Sequence, residues 1–260
     1  MSVVSASEIK FIKSLGIKKY RQEHGLFVVE GEKVVGELLE SGFVVRDVFC
    51  AEEYSGLIKH EKYRIVTNKQ LERLSFFKTP NKVLAVAEIP KEKYNIEQFL
   101  SQEKLLLLGL DNINDPGNMG TIIRIANWFG IKNIVCSPEC VDCYSPKVVQ
   151  SSMGSLFRVN IYYDDLAKVI KNIKKSGEIY IYSSNIDGDS VYDTVIQNRA
   201  LLLLGNESHG IRDEISVLAD YKIKLPSFPA GNSSMESLNV GVAAGILCAE
   251  FRKRQLAISK

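Results

Sequence analysis

The 260-residue chain has one tryptophan, three histidines and five cysteines. It contains no run approaching the ~18 apolar residues of a membrane span. Its start, MSVVSASEIKFIKSLG, has neither the unbroken apolar stretch nor the small-residue cleavage site of a secretory leader. These absences lead to an expected cytoplasmic location. An odd cysteine count in a long chain argues against a disulfide framework. Cys136, Cys140 and Cys143 place three thiols within CSPECVDC, yet His24, His60 and His209 lie elsewhere in the sequence. A structural zinc site wants four ligands, so these thiols read as free, buried or half-buried, and no metal is expected. Neither G-x-G-x-x-G nor GxxxxGK[ST] is present, which removes the usual nucleotide-binding signatures and disfavours a nicotinamide-dependent oxidoreductase. His209 is the one histidine of the C-terminal part and reads as solvated or capping. Charge of one sign is also lacking. The net charge is +2, with a slight basic excess ahead of residue 94.

What is present is an ordinary balance for a soluble globular protein, 45% hydrophobic and 25% charged. Strand and helix patterns alternate throughout. Helices are predicted over Ala6–Leu15, Gly31–Ser41, Ser55–Glu61 and Asn68–Leu74. Strands are predicted at Phe27–Val29, Val44–Cys50, Tyr63–Val66 and Val83–Glu88. The charged, Pro-containing stretch 88–104 reads as a linker with a short helix, with the boundary near residues 90–100. The reading is therefore residues 1–95 as one domain, 96–104 as linker and 105–260 as a second. In the second, Leu105–Leu110 is a continuous apolar run, as a parallel strand buried on both faces requires. Helix Met119–Phe129, strand Asn133–Cys136, helix Ser145–Ser151, strand Leu156–Ile161 and helix Asp165–Lys175 follow. Strands Ile179–Ser183 and Ala200–Leu204, helix Ile211–Leu218, strand Tyr221–Leu225 and helix Leu238–Arg252 complete it. The fold class is α/β with a mostly parallel sheet.

Ligands of such sheets bind beyond the carboxyl ends of the strands. Three strand exits here have unusual chemistry: 110-LDNINDPGNMGTIIRIANWFG-130, 204-LGNESHGI-211 and 225-LPSFPAGNSSMESLNVG-241. Each follows an apolar strand and precedes a helix, so all three can converge. Arg124 lies near the loop end of its helix, where a guanidinium suits anionic oxygens. The last loop runs into a helix of small residues, Gly241, Ala243, Ala244 and Gly245.

Asn118 with Arg124, Gly205-Asn206-Glu207 and Ser237-Leu238-Asn239-Val240 resemble, in order, the three motifs of the SpoU/TrmH RNA 2′-O-ribose methyltransferases of the SPOUT superfamily. Ser145-Pro146-Lys147 and the stretch Ser151–Phe157 resemble the family's middle region, so the likeness spans residues 105–252. Arg21, Phe27, Glu30 and Gly31 resemble the L30e-like substrate-binding domain of many members. Two departures stand out: Gly241, where Ser or another small residue is common, and a longer third loop through Ala230–Met235.

The resemblance implies a deep trefoil knot, S-adenosylmethionine as cofactor, a homodimer through the knotted domain and RNA as partner. It implies ribosomal RNA before transfer RNA, with a non-catalytic RNA binder as the rival reading. Arg124 then acts at the target nucleotide, and Asn118, Glu207, Ser237 and Asn239 hold it, the ribose and the loops. Leu204, Gly205, Asn206, Leu225, Pro226, Ser237 and Leu238 are the expected cofactor contacts, and a bulky residue at Gly205 is expected to block entry. Lys10, Lys18, Lys19 and Arg21 are expected to contact RNA phosphates.

Overall fold

The computed structural model describes residues 3–58, 63–91, 103–176, 179–228 and 238–257. The first part runs α1 Ala6–Ser14, α2 Lys18–His24, β1 Leu26–Glu30, α3 Glu32–Leu39, β2 Val45–Cys50, β3 Tyr63–Ile65, α4 Asn68–Leu74 and β4 Val83–Glu88. It continues as β5 Leu105–Leu110, α5 Pro116–Trp128, β6 Asn133–Cys136, α6 Pro146–Ser152, β7 Asn160–Tyr163, α7 Leu166–Ser176, β8 Tyr180–Ser190, β9 Arg199–Leu204, α8 Asp213–Ser216, β10 Tyr221–Lys224 and α9 Val240–Ala257. Contacts divide the chain into two units. One is Met1–Glu92 with Asp142–Arg158; the other is Lys93–Val141 with Val159–Lys260.

In the first unit the sheet order is β1-β4-β2-β3, with β4 antiparallel to both neighbours and β2 parallel to β3. Local chemistry sets the helix starts. The Ser5 hydroxyl accepts the Glu8 N–H, and Thr67 with Gln70 forms a reciprocal capping box. Ile9, Ile12, Leu15, Leu71 and Leu74 bury one side of α1 and α4 against Val28, Phe49, Leu84 and Val86. The buried Glu30 carboxylate accepts the Ser75 hydroxyl and the Phe76 and Asn81 N–H groups, and so shapes the loop before β4.

The segment Asp142–Arg158, assigned from sequence to the second domain, groups with this unit. Tyr144 packs on Phe27 with ring centroids 4.8 Å apart, and Phe157 on Phe43 at 5.3 Å.

Three local expectations change. The helix expected over Ser55–Glu61 is a 3-10 turn at Glu52–Leu57, and residues 59–62 lie outside the described set. The strand expected at Leu156–Ile161 starts only at Asn160. Met153 and Gly154 adopt positive φ of 51° and 89°, and Ser155–Arg158 coils into a 3-10 turn. Lys18–His24 forms a helix that was not expected.

The second unit is built on a six-stranded sheet ordered β10-β8-β9-β5-β6-β7, and every pairing is parallel. Central β5 pairs with β9 along its whole length, Leu105 opposite Arg199 through Leu110 opposite Leu204. All six residues of β5 are buried, as its unbroken apolar run demands. On one face Leu166, Val169, Ile170 and Ile173 of α7 pack on Leu105, Leu107, Leu201 and Leu203. Elsewhere Tyr182 meets Phe251 of α9 edge-on at 5.0 Å. Helix α9 also closes α5: the Arg252 guanidinium donates to the carbonyls of Phe129 (2.8 Å) and Gly130 (3.2 Å), satisfying a helix end that has no partners of its own. Among the described residues, no helix is long and apolar enough to cross a membrane.

Candidate active site

Strands β5 and β9 are neighbours and parallel, so their exits lie at one edge of the sheet. At the β5 exit Asp111 is fully buried and Asn112 has a positive φ of 58°. Asp115 then caps α5, its Oδ1 accepting the Asn118 N–H at 2.8 Å, with Pro116 in the first turn where its missing N–H costs nothing. This cap frees the Asn118 side chain to reach out of the helix.

At the β9 exit Asn206 and Gly210 exchange main-chain hydrogen bonds of 3.0 and 2.8 Å, closing a tight loop with Glu207 near its tip. The Asn206 side chain stitches this loop. Its Oδ1 accepts the Ser208 N–H at 2.8 Å, and its Nδ2 donates to the Asn112 carbonyl at 2.9 Å. At the start of α9 Asn239 acts as a cap, its Oδ1 accepting the N–H groups of Gly241 (3.0 Å) and Val242 (3.2 Å).

The three motifs meet. Glu207 Oε1 accepts from Asn118 Nδ2 at 3.0 Å, from Val240 N–H at 3.3 Å and from Asn239 Nδ2. Asn239 Nδ2 also donates to Asn118 Oδ1 at 2.9 Å. Each amide proton of Asn239 thus has its own acceptor. Arg124 is exposed, six residues and about 9 Å of helix rise beyond Asn118, and makes no hydrogen bond or ion pair among the described residues. One turn before it, Thr121 lies against the start of α9: a Cβ built on Gly241 would sit 2.9 Å from the Thr121 methyl group. Gly241 therefore suits close packing between α5 and α9.

The other expected site residues divide. Leu204 is the buried end of β9, and Leu225 and Pro226 are half-buried after β10. Leu238 is exposed, and Ser237 lies outside the described residues. The Asn206 side chain is occupied by the Ser208 N–H within its loop and by the Asn112 carbonyl at the β5 exit. A Cβ on Gly205 would come within 2.3–2.4 Å of the Gly210 carbonyl and the Ile211 nitrogen. A side chain there must therefore displace the loop backbone, a steric cost separate from any effect on cofactor entry. The expectation for Arg21 is corrected. It is 2% exposed, ion-paired with Asp142 at 2.6 Å and donating to the Leu15 carbonyl at 2.7 Å, so it is a structural cation and not a phosphate contact. Lys10, Lys18 and Lys19 are exposed on the first unit.

Sequence reasoning missed Asp111 and Arg212. Arg212 donates to Asp111 through its main-chain N–H at 2.8 Å and its Nε at 3.0 Å, and its Nη2 lies 2.8 Å from Oδ1. The Asp111 carboxylate is the main cause that holds the Arg212 guanidinium above its ordinary pKa. The signal was an acid directly after an all-apolar strand, a position where burial demands a partner.

The chemistry of the strand ends suits an adenosine-bearing cofactor. Half-buried Leu225 and Pro226 and exposed Phe228 and Leu238 offer apolar surface, and main-chain groups beside them can hydrogen-bond a neutral purine edge.

Comparison with known proteins agrees with this arrangement. The SpoU rRNA Methylase family model matches residues 105–249, and the MRM3-like substrate binding domain model matches residues 6–85. The 23S rRNA (guanosine(2553)-2′-O)-methyltransferase RlmP of Bacillus subtilis is 28% identical over 94% of this chain and 96% of its own. The 23S rRNA (uridine(2479)-2′-O)-methyltransferase of Streptomyces viridochromogenes is 28% identical over 94% of this chain and 88% of its own. Among solved structures, an RNA methyltransferase of the TrmH family from Porphyromonas gingivalis, described as putative, aligns with TM-score 0.87 and 34% identity over 97% of this chain and 100% of its own. The SpoU methyltransferase AviRb of Streptomyces viridochromogenes, crystallised with AdoMet, aligns with TM-score 0.84 and 26% identity over 98% of this chain and 99% of its own. With more than half its length matched by the family model, three motifs in order and their side chains joined at one junction, this chain belongs to the SpoU rRNA methylase family.

Proposed function

We propose that the chain transfers a methyl group from S-adenosylmethionine to a ribose 2′-hydroxyl of large-subunit ribosomal RNA. The junction of Asn118, Glu207 and Asn239 carries this reading, with Arg124 exposed on the helix that bears Asn118 and without a partner among the described residues. The ribosomal choice is supported by relatives named as 23S rRNA methyltransferases over nearly the whole chain. AdoMet bound to AviRb supports the cofactor.

When bound, the cofactor supplies an electrophilic methyl group whose departure leaves a neutral thioether. Leu225, Pro226, Leu238 and Ser237, with main-chain groups of Leu204 and Gly205, would hold it. Arg124 binds a phosphate of the target nucleotide and brings the 2′-oxygen into line. Its charge also favours the oxygen as the hydroxyl proton passes to solvent water. A guanidinium is a poor proton acceptor, so positioning and electrostatics are its main work. Asn118 and Asn239 donate to one Glu207 oxygen and so link the loops around the ribose.

Residues 1–95 serve as the L30e-like RNA-binding domain, with Lys10, Lys18 and Lys19 on phosphates, and 105–260 as the methyltransferase domain. The reading includes the trefoil knot, a cytoplasmic setting and a homodimer. Exposed apolar side chains on α5 and α9, Trp128 (83% exposed), Val242 (52%) and Ile246 (38%), support the dimer. The test is to map 2′-O-methyl positions in total RNA from cells with and without the gene. A position in 23S rRNA that loses its methyl group supports the reading; a loss confined to tRNA, or no change, rejects it.

A further inference from the structure

We propose that Asp111 and Arg212 form a positioning pair that sets Glu207 for methyl transfer. This rests on the reading of Asn118, Glu207 and Asn239 as the reaction site. Glu207 stands near the exposed tip of the loop from Gly205 to Arg212. Its contacts with Asn118 and Asn239 are themselves exposed, and exposed hydrogen bonds exchange readily with water and fix little alone. The Asn206–Gly210 bonds and the bond from the Ser208 N–H to Asn206 Oδ1 keep the loop in shape. They do not fix how the loop sits on the sheet.

That pose is set at the β5 exit. Asn206 Nδ2 reaches the Asn112 carbonyl at 2.9 Å. Next to it, the Asp111 carboxylate, with no exposed surface, receives the Arg212 main-chain N–H, Nε and Nη2. A planar fork on a carboxylate fixes direction as well as distance. A buried carboxylate cannot release its partner without a large cost. Glu139 at 3.5 Å and Glu214 at 3.3 Å hold the guanidinium from its outer side. Asp111 lies on the loop that leads into α5, whose first turn carries Asn118, and Arg212 on the loop that carries Glu207. The buried pair therefore sets the separation across which Asn118 meets Glu207.

The experiment uses the full chain, S-adenosylmethionine and transcribed 23S rRNA, with Arg212→Met, Arg212→Lys, Glu207→Gln and the double variant Arg212→Met/Glu207→Gln. Arg212→Met is expected to lower kcat about 10–100-fold, the scale of a misplacement near 1 Å. KM for the cofactor should move less than about threefold, since cofactor binding is not the step affected. Arg212→Lys keeps the charge, lacks the fork and should recover only part of kcat. In the Glu207→Gln background Arg212→Met should cost less than about a further twofold, because both changes act through one group. Wild-type kcat in Arg212→Met, or losses that multiply in the double variant, overturns the pair's role. If Arg212→Met does not fold, the same cycle is run with Arg212→Lys, and full kcat there overturns it. A wild-type chain without methyl transfer, or Glu207→Gln with full kcat, instead rejects the reaction site itself.

Discussion

Asn118 and Asn239 stand 121 residues apart in the chain and are joined by a 2.9 Å hydrogen bond from Nδ2 of the second to Oδ1 of the first, while both donate to Glu207 Oε1. Two amides and one carboxylate at three strand exits thus meet in one hydrogen-bonded pattern. Asn239→Asp tests it. The substitution keeps the shape, replaces the double donor with an anion and sets it against Glu207. Methyl transfer should fall about 10–100-fold through like-charge repulsion and lost donors. Single-turnover kinetics would show it, and a rate within twofold of wild type would contradict the junction's role.

Arg124 carries no partner among the described residues and sits exposed on α5. Arg124→Ala should reduce methyl transfer about 10²–10³-fold, the scale for removing one preorganised electrostatic group. Cofactor affinity measured by calorimetry should be nearly unchanged. Loss of cofactor binding would move Arg124 from the acceptor side to the cofactor side.

Gly205→Ala places a methyl group 2.3 Å from the Gly210 carbonyl carbon. Backbone cannot give way as a side-chain tip can, so the loop must shift at a cost of about 1–3 kcal/mol. Thermal stability and activity should fall together. Normal stability with lost cofactor binding alone would favour blocked entry over a displaced loop.

Burial pushes the Cys248 thiol from its ordinary value near 9 to about 12, and the Tyr182 hydroxyl from 10 to about 12. Both are neutral when folded, and the unfolded chain gives up these protons first. Stability present below pH 9 should therefore be lost progressively as pH rises to 12. Urea midpoints across that range should fall, and less steeply in Cys248→Ala. Equal slopes would show that the thiol is not involved.

If the exposed apolar side chains of Trp128, Val242 and Ile246 are a self-association face, Val242→Glu should shift the chain toward monomer. Sedimentation velocity at micromolar concentration reads this directly. A monomeric wild type, or a dimer unaffected by the charge, removes this face from the proposal.

The apolar run Leu105–Leu110 was legible because a strand buried on both faces has no polar position to disguise it. Asn68–Leu74 and Val83–Glu88 match their predicted bounds for similar reasons of capping and apolar content. The strand misplaced around Leu156 shows the limit. Nothing in its composition announces positive φ at Met153, which an L side chain adopts only when its surroundings enforce it. Arg21 misled because a lysine-rich neighbourhood looks like a phosphate surface, whereas this one cation turns inward to Asp142.

The order of strands and helices, the apolar faces and the residue types at three strand exits were determined by the sequence alone, because periodicity and side-chain chemistry are local properties. Which exits meet, and that Glu207 is the shared acceptor of Asn118, Asn239 and the Val240 amide, was decided only by the parallel sheet and the close approach of α5 to α9. So was the burial of Asp111 under Arg212. Contacts between residues about 100 apart depend on register and packing, and no local pattern encodes those.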